Sequence, residues 1–314
     1  MACSANVVTV FEFPHVEIPL GTRDRLTAET SLSVTIFASP RNFCQAQPCY
    51  VDGMPSHRLL ALLMIAGCAS AQSSGILLED LTWPEAEKIL TPQTIVVIPI
   101  GAESKEHGPH LKLKNDFLMA EYLKREVLKR SNVVVAPTVN YHYYPAFGEY
   151  PGSTTLRIET ARDLLVDICR SLARYGPRRF YALNTGVSTI RALRLSADVL
   201  AADGILFRYT DILKVGEAAE KQVKQEEGGT HADEIETSMM LYIAPETVDM
   251  KKAVKDYHPS GKSGLTRNPN GEGAYSASGI YGDATLATRQ KGEIMINAML
   301  DGIVKEIEAL RSEK

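Results

Sequence analysis

The chain has 314 residues, 45% hydrophobic and 23% charged, which is apolar material enough for one large core or two domains. A formal net charge of −4 and a pI near 6.0 leave no basic footprint, and this argues against nucleic acid as a partner. The five cysteines (Cys3, Cys44, Cys49, Cys68, Cys169) are odd in number and contain no Cys-x-x-Cys pair, so neither a zinc ribbon nor a complete disulfide framework is indicated.

Residues 1–53 mix short β-prone runs, Asn6 to Phe13 and Ser31 to Phe37, with Pro and Cys in no periodic pattern. They read as a non-native or disordered extension outside the fold. Residues 54–71 have the parts of a secretory signal peptide: Arg58 ahead of an apolar run from Leu59 to Ala66, then the small-x-small end Ala69-Ser70-Ala71. The run is too short to span a bilayer as a helix. A start of translation at Met54 explains its position, and Ile65-Ala66-Gly67-Cys68 also has the form of a lipobox, with Cys68 as the site of a lipid anchor. The expectation is an exported chain, periplasmic or lipid-anchored, with its functional domain over 72–314. The alternatives are a buried helix of a larger N-terminal domain and, without the start at Met54, a cytoplasmic chain.

From Ile76 the pattern becomes regular. A helix entry over Glu79 to Leu90 has Thr82 as N-cap and Pro84 in its first turn. The apolar run Ile95-Val96-Val97-Ile98-Pro99-Ile100 predicts a buried strand, and Leu118, Tyr122, Leu123, Val127 and Leu128 form a helical stripe over Phe117 to Arg130. Asn132 to Pro137 predicts a second strand, followed by the aromatic loop Tyr141-His142-Tyr143-Tyr144-Pro145, which either lines a pocket or packs. A helix over Thr160 to Tyr175, a strand over Phe180 to Leu183, a helix over Ile190 to Asp203 closed by Gly204 and a strand over Ile205 to Tyr209 come next. Asp233 to Ile243 predicts a helix ended by Pro245. Residues 255–283, rich in Gly, Ser, Pro and Asn, predict a long loop over the site, and Leu286 to Leu310 the last helix, with Ile296, Leu300, Ile303, Ile307 and Leu310 inward. Alternating strand and helix predicts a three-layer α/β/α fold around a largely parallel sheet.

Functional residues gather just beyond the first buried strand, where open α/β sheets place their ligands. Gly101-Ala102-Glu103-Ser104-Lys105-Glu106-His107-Gly108-Pro109-His110 runs on to Asn115-Asp116, so two imidazoles and several carboxylates follow one strand end. Neutral imidazole with carboxylate is a ligand set for borderline divalent metals, and the cluster reads as a metal or acid/base site.

The stretch resembles the signature of the creatininase family of metal-dependent amidohydrolases, Gly-Ser-x-Glu-x-His-Gly-Pro-His-Leu-Pro with Thr-Asp a few residues on. His231-Ala232-Asp233-Glu234-Ile235-Glu236-Thr237-Ser238 resembles the family's His-Ala-Gly-x-x-Glu-Thr-Ser, and Gly282-Asp283-Ala284-Thr285-Leu286-Ala287-Thr288 its Gly-Asp-Pro-x-x-Ala-Thr. Tyr150-Pro151-Gly152-Ser153-Thr154 is similar to its Phe-Pro-Gly-Thr, and the motifs stand in family order over about residues 76–310. The resemblance implies a creatininase-like fold, a small-molecule substrate, a homo-oligomer and a metal centre that activates water against an amide. It implies His107 as a metal ligand, Asp116 as the carboxylate between two metals, and His231 and Glu236 near the substrate. With Glu106 these last two form the expected catalytic set, and His110, Asn184 and Tyr144 are expected to bind substrate.

Departures from the family pattern narrow the expectation. Lys105 stands where the family usually has Glu, and Asn184-Thr185-Gly186-Val187-Ser188-Thr189 stands where it has Asn-Gly-His-Gly-Gly-Asn. Ligands to one metal are therefore missing, and a Lys ammonium disfavours a second dication by like-charge repulsion. One divalent metal per chain (Zn, Mn or Fe) is expected. Three readings follow: a hydrolase of a non-peptide C–N bond with that metal held by His107 and Asp116, with help from Glu106, Glu236 or His231; a catalytically silent binding protein at the cell envelope; and an enzyme of altered chemistry using Lys105 or Glu106 as acid or base.

Overall fold

The computed structural model describes residues 74–313, so the expectations for residues 1–53 and 54–71, with Cys68, lie outside the described residues. Five parallel strands form the central sheet: β1 (Ile76–Leu77), β2 (Ile95–Ile100), β3 (Val134–Val135), β4 (Arg179–Asn184) and β5 (Leu206–Tyr209), in the order β1-β3-β2-β4-β5. Strand β2 is central and buried along its whole length. It pairs with β4 from Ile95↔Arg179 to Ile100↔Asn184, so both strands deliver their carboxyl ends to the same edge of the sheet.

The alternation of side chains along β2 and β4 builds two cores. Ile95, Val97, Tyr181 and Leu183 point to one face, where they pack with α2 (Asn115–Arg130), α7 (Glu234–Ile243) and α8 (Arg289–Ser312). Val96, Ile98, Ile100, Phe180 and Ala182 point to the other, against α3 (Ile158–Ala173) and α4 (Ile190–Ala202). Helix α1 (Trp83–Ile89) is capped as expected: the Glu85 carboxylate accepts from the Thr82 backbone N–H at 2.8 Å and from its hydroxyl at 2.6 Å. These layers are the three-layer α/β/α fold that the alternation predicts.

Some boundaries differ from the expectation. Helix α2 starts at Asn115, two residues before Phe117, which puts Asp116 in its first turn, and its buried stripe is Met119, Ala120, Leu123 and Val127. Leu118, Tyr122 and Leu128 lie half-buried at the margin of that core. After β5 come two short helices, α5 (Ile212–Val215) and α6 (Glu217–Val223). The segment 255–283 is a strap held by two-residue pairings: β6 (Lys255–Asp256) with β9 (Gly282–Asp283), and β7 (Leu265–Thr266) with β8 (Ala274–Tyr275). Leu265 packs on Phe147 and Tyr144, which lays the strap across the carboxyl end of the sheet.

Candidate metal centre

The site begins where β2 ends. Gly101 passes so close to α2 that a Cβ there would lie 2.3 Å from the Asp116 carbonyl oxygen, and the Phe117 N–H donates to the Ala102 carbonyl at 3.0 Å. The strand end and the first turn of α2 are thereby clamped together. The loop between them folds back, with the Lys105 N–H donating to the Leu113 carbonyl at 3.1 Å, so Lys105, His107 and Asp116 face one another.

His107 donates Nδ1–H to the Lys105 carbonyl at 2.9 Å, and its Nε2 lies 2.8 Å from Asp116 Oδ1 and 3.3 Å from Glu236 Oε1. Glu236 comes from the first turn of α7, where the helix dipole favours a carboxylate. Asp233 caps that helix, its Oδ1 accepting from the N–H groups of Ile235 at 3.0 Å and Glu236 at 2.9 Å. Just before the cap, Ala232 has φ 49°, a left-handed conformation that non-glycine residues rarely adopt. It turns His231 inward and aims its own N–H at Glu236 Oε2, 2.6 Å away. His231 donates Nε2–H to Glu106 Oε1 at 2.9 Å, which leaves Nδ1 facing Glu236 Oε2 at 3.5 Å.

Each imidazole is thus held at one nitrogen by an acceptor, as proteins orient histidine ligands; the other nitrogen of His107 meets Asp116 and Glu236, and that of His231 faces Glu236. One ligand atom each from His107, His231 and Glu236 lies within 4.8 Å of the others. His107 Nε2 meets Glu236 Oε1 at 3.3 Å and His231 Nδ1 meets Oε2 at 3.5 Å, so the two imidazoles address different oxygens of one carboxylate, and this donor set suits a divalent metal.

The charges are balanced inside the protein. Burial and Lys105 push the His107 imidazolium down, but Asp116 and Glu236 outweigh them and raise its pKa to about 9. Burial also works against the Lys105 ammonium, and the Asp116 carboxylate, 2.8 Å from Nζ through Oδ2, more than compensates. The Asp116 and Glu236 carboxyls are held below the ordinary range: against burial, Lys105 and His107 act on the first, His107 and His231 on the second.

The expected residues fall into place unevenly. His107, Asp116, Glu236, His231 and Glu106 converge: His231 and Glu236 join His107 as candidate ligands, and Asp116 shows Oδ1 to His107 and Oδ2 to Lys105. Glu106 orients His231 and also accepts from the Gly108 N–H at 2.8 Å. His110 is buried beside the centre, its Nε2–H donating to Thr237 Oγ1 at 2.7 Å, and burial lowers its pKa to about 4. Asn184 is turned into its own loop: its Oδ1 accepts from the Gly186 N–H and the Thr189 hydroxyl, and its amide donates to the carbonyls of Gly186 and Thr210. That consumes its hydrogen-bonding capacity in holding the loop after β4. Tyr144 is buried behind the wall, and its neighbours Tyr143 and Phe147 line the cavity instead.

The cavity over the centre measures about 840 Å³, and Lys105, Phe147, Gly186, His231, Glu236 and Met239 are among its walls. Phe147 escaped the sequence reading although its ring lies 4.4 Å from that of His231. Met295 and Met299 of α8 line the far side, brought there by packing that leaves no local motif.

Three α/β/α layers with two imidazoles and a carboxylate converging at the carboxyl end of a parallel sheet define the class of metal-dependent α/β hydrolases. Within it, the family described as creatininase, creatinine amidohydrolase, matches residues 79–307, and the chain belongs to the creatininase family. The chain is 28% identical to creatinine amidohydrolase of Pseudomonas putida over 262 residues, covering 77% of this chain and 98% of that protein. It is also 28% identical to the mycofactocin precursor peptide peptidase of Mycobacterium ulcerans over 236 residues, 72% of this chain and 85% of that one. A solved mutant creatininase of the Zn-Zn type superposes with a TM-score of 0.65 at 25% identity, covering 77% of this chain and all of its own.

Proposed function

We propose that the protein is a hydrolase of a non-peptide amide C–N bond in a small molecule, with one divalent metal ion held by His107, His231 and Glu236. The observation that carries this reading is the pair of oriented imidazoles facing one carboxylate, with a ligand atom of each within 4.8 Å of the others. Such an ion supplies a Lewis acid and makes water more acidic near neutral pH. Three protein ligands leave the open fourth position that distinguishes a catalytic site from a structural one.

The chain's own groups do the rest. In this arrangement Asp116 Oδ1 accepts from His107 Nε2–H; were His107 to give up that proton in holding an ion, Oδ1 would lose its donor and could take a proton from the attacking water. Returning it to the departing nitrogen completes general acid/base transfer at one atom. Lys105 Nζ, on the cavity wall, is placed to balance negative charge growing on the acyl oxygen. Glu106 keeps His231 in the tautomer that presents Nδ1. A cavity of about 840 Å³ falls within the range of small-molecule sites, about 300–1,000 Å³, and leaves room beyond a single small ring. Family membership also supports a homo-oligomer, which light scattering would count.

Metal analysis tests the reading. The wild type is expected to retain one equivalent after dialysis, His107→Ala, His231→Ala and Glu236→Ala to lose it, and Asp116→Asn to keep it while turnover of the best substrate in a panel of cyclic and linear amides falls about 10²- to 10⁴-fold. A wild type without affinity for Zn, Mn or Fe refutes the hydrolase and leaves the silent binding protein.

A further inference from the structure

Asp116 shows both oxygens to cations, and only one of those cations is exchangeable. Its Oδ1 faces His107 Nε2 at 2.8 Å, on the side of the candidate ion. Its Oδ2 faces the Lys105 ammonium at 2.8 Å, which is 6% exposed and lies 4.6 Å from the centre of the Phe147 ring and 5.8 Å from that of Tyr144. Aromatic faces hold an ammonium well and offer a divalent ion no ligand.

Thr185, Gly186, Val187 and Ser188, the stretch after β4, line the same cavity as Lys105. Gly186 has no side chain to offer, and a Cβ there would already touch Thr189 at 3.1 Å and Tyr144 at 3.4 Å. Among the described residues, His107, His231 and Glu236 are the group that could hold an ion, and His107 meets Asp116 at Oδ1, not at the Oδ2 that faces Lys105.

Resting on the metal centre proposed above, we infer that the Lys105 ammonium is a covalently attached second cation: it takes the place of a second divalent ion at Asp116 Oδ2 and limits the centre to one ion per chain. An ion bonded to Oδ2 would need the space that Nζ fills and would meet its charge at contact distance. The same residue also serves the first ion, because its backbone carbonyl accepts His107 Nδ1–H and so turns Nε2 towards Glu236. Its side chain can therefore change without releasing His107.

The test counts zinc per chain after equilibrium dialysis with excess ion, for the wild type, Lys105→Met and Lys105→Glu, with thermal melts to establish folding. The expected counts are one, one and two. In Lys105→Glu two buried carboxylates face each other, and a cation must settle between them. A wild type that takes two zinc ions, or a folded Lys105→Glu protein that saturates at one, overturns the inference; a wild type that takes none refutes the metal centre itself. Cobalt substitution of the wild type makes the same decision without a variant. An uncoupled mononuclear paramagnetic signal at every loading is expected, and a spin-coupled pair at excess cobalt overturns the inference.

Discussion

Stripping the metal ion should make the stability of this protein fall as pH rises from about 6.5 to 9, and His107 sets the size of the fall. In the metal-free fold its pKa is raised to about 9 from an ordinary 6.5 by Asp116 and Glu236, against burial and Lys105. A group whose folded pKa is raised stabilises the fold fully below its unfolded pKa, and the contribution disappears as pH rises through the folded value. A shift of about 2.5 units at about 1.4 kcal/mol per unit is worth about 3 kcal/mol. For a domain of this size each kcal/mol moves the melting temperature by about 2–4 °C, so the stripped protein should lose about 6–12 °C across the window. His110 and His142, each lowered by burial to about 4, act below pH 6.5 and destabilise on acidification, so they do not contribute in this range. Asp233, raised well above its ordinary value chiefly by burial and Glu226, has the same sign as His107. The His107 share is therefore read as the difference between wild type and His107→Gln. Scanning fluorimetry on chelator-treated and zinc-loaded protein at half-unit pH steps measures it. The loaded protein, in which His107 is already deprotonated, should lack this component, and apparent zinc affinity should rise about tenfold per pH unit up to about 9. A stripped wild type whose melting temperature runs parallel to that of His107→Gln would refute the assignment of an imidazolium to the metal-free centre.

Two substitutions separate positioning from packing. Glu106→Gln should weaken zinc binding about 10- to 100-fold while leaving the melting temperature of the stripped protein nearly unchanged, because the carboxylate acts through the orientation and basicity of His231; competition with a chelating dye reads the affinity. Asn184→Ala should destabilise by about 1–3 kcal/mol in urea unfolding, since it strands the buried N–H of Gly186 and the Thr189 hydroxyl, and should leave the KM of any substrate found for the folded protein without a specific increase.

The fold was legible wherever burial alone dictates pattern. Strand β2 occupies the six residues of its apolar run because a central parallel strand is covered on both faces and has no polar position to blur its ends. Helix α8 likewise buries Ile296, Leu300, Ile303, Ile307 and Leu310, as its spacing implies. Helix α2 was read less well. Its first turn is polar, Asn115 and Asp116 being committed to the site, so periodicity sees the helix begin late. Tyr122 looks inward by period but packs edge-on against Tyr242 at the margin of the core. In the strap over 255–283 the pairings are two residues long and depend on tertiary contacts such as Leu265 with Phe147, which no local pattern encodes.

The site divides along a similar line. His107 and Asp116 were visible because one strand end and one helix start bring them together within a single short segment. The nitrogen that His231 presents was not, because it is whichever one its partner leaves free, and that partner, Glu106, lies 125 positions away. Asn184 shows the converse: a strand-end Asn next to a missing motif suggests substrate binding, and in the fold its four hydrogen bonds all go to the loops after β4 and β5. Position 105 joins the two cases. Where the family has a carboxylate, this chain has an ammonium, and the exchange would be expected to dismantle the centre. The three candidate ligands nevertheless converge, because His107 is oriented by the backbone carbonyl of residue 105 rather than by its side chain, and because Asp116 meets the ammonium at Oδ2. The half of the site built on backbone and on α7 is thus insulated from the half that depended on side chains at 105, 186 and 188.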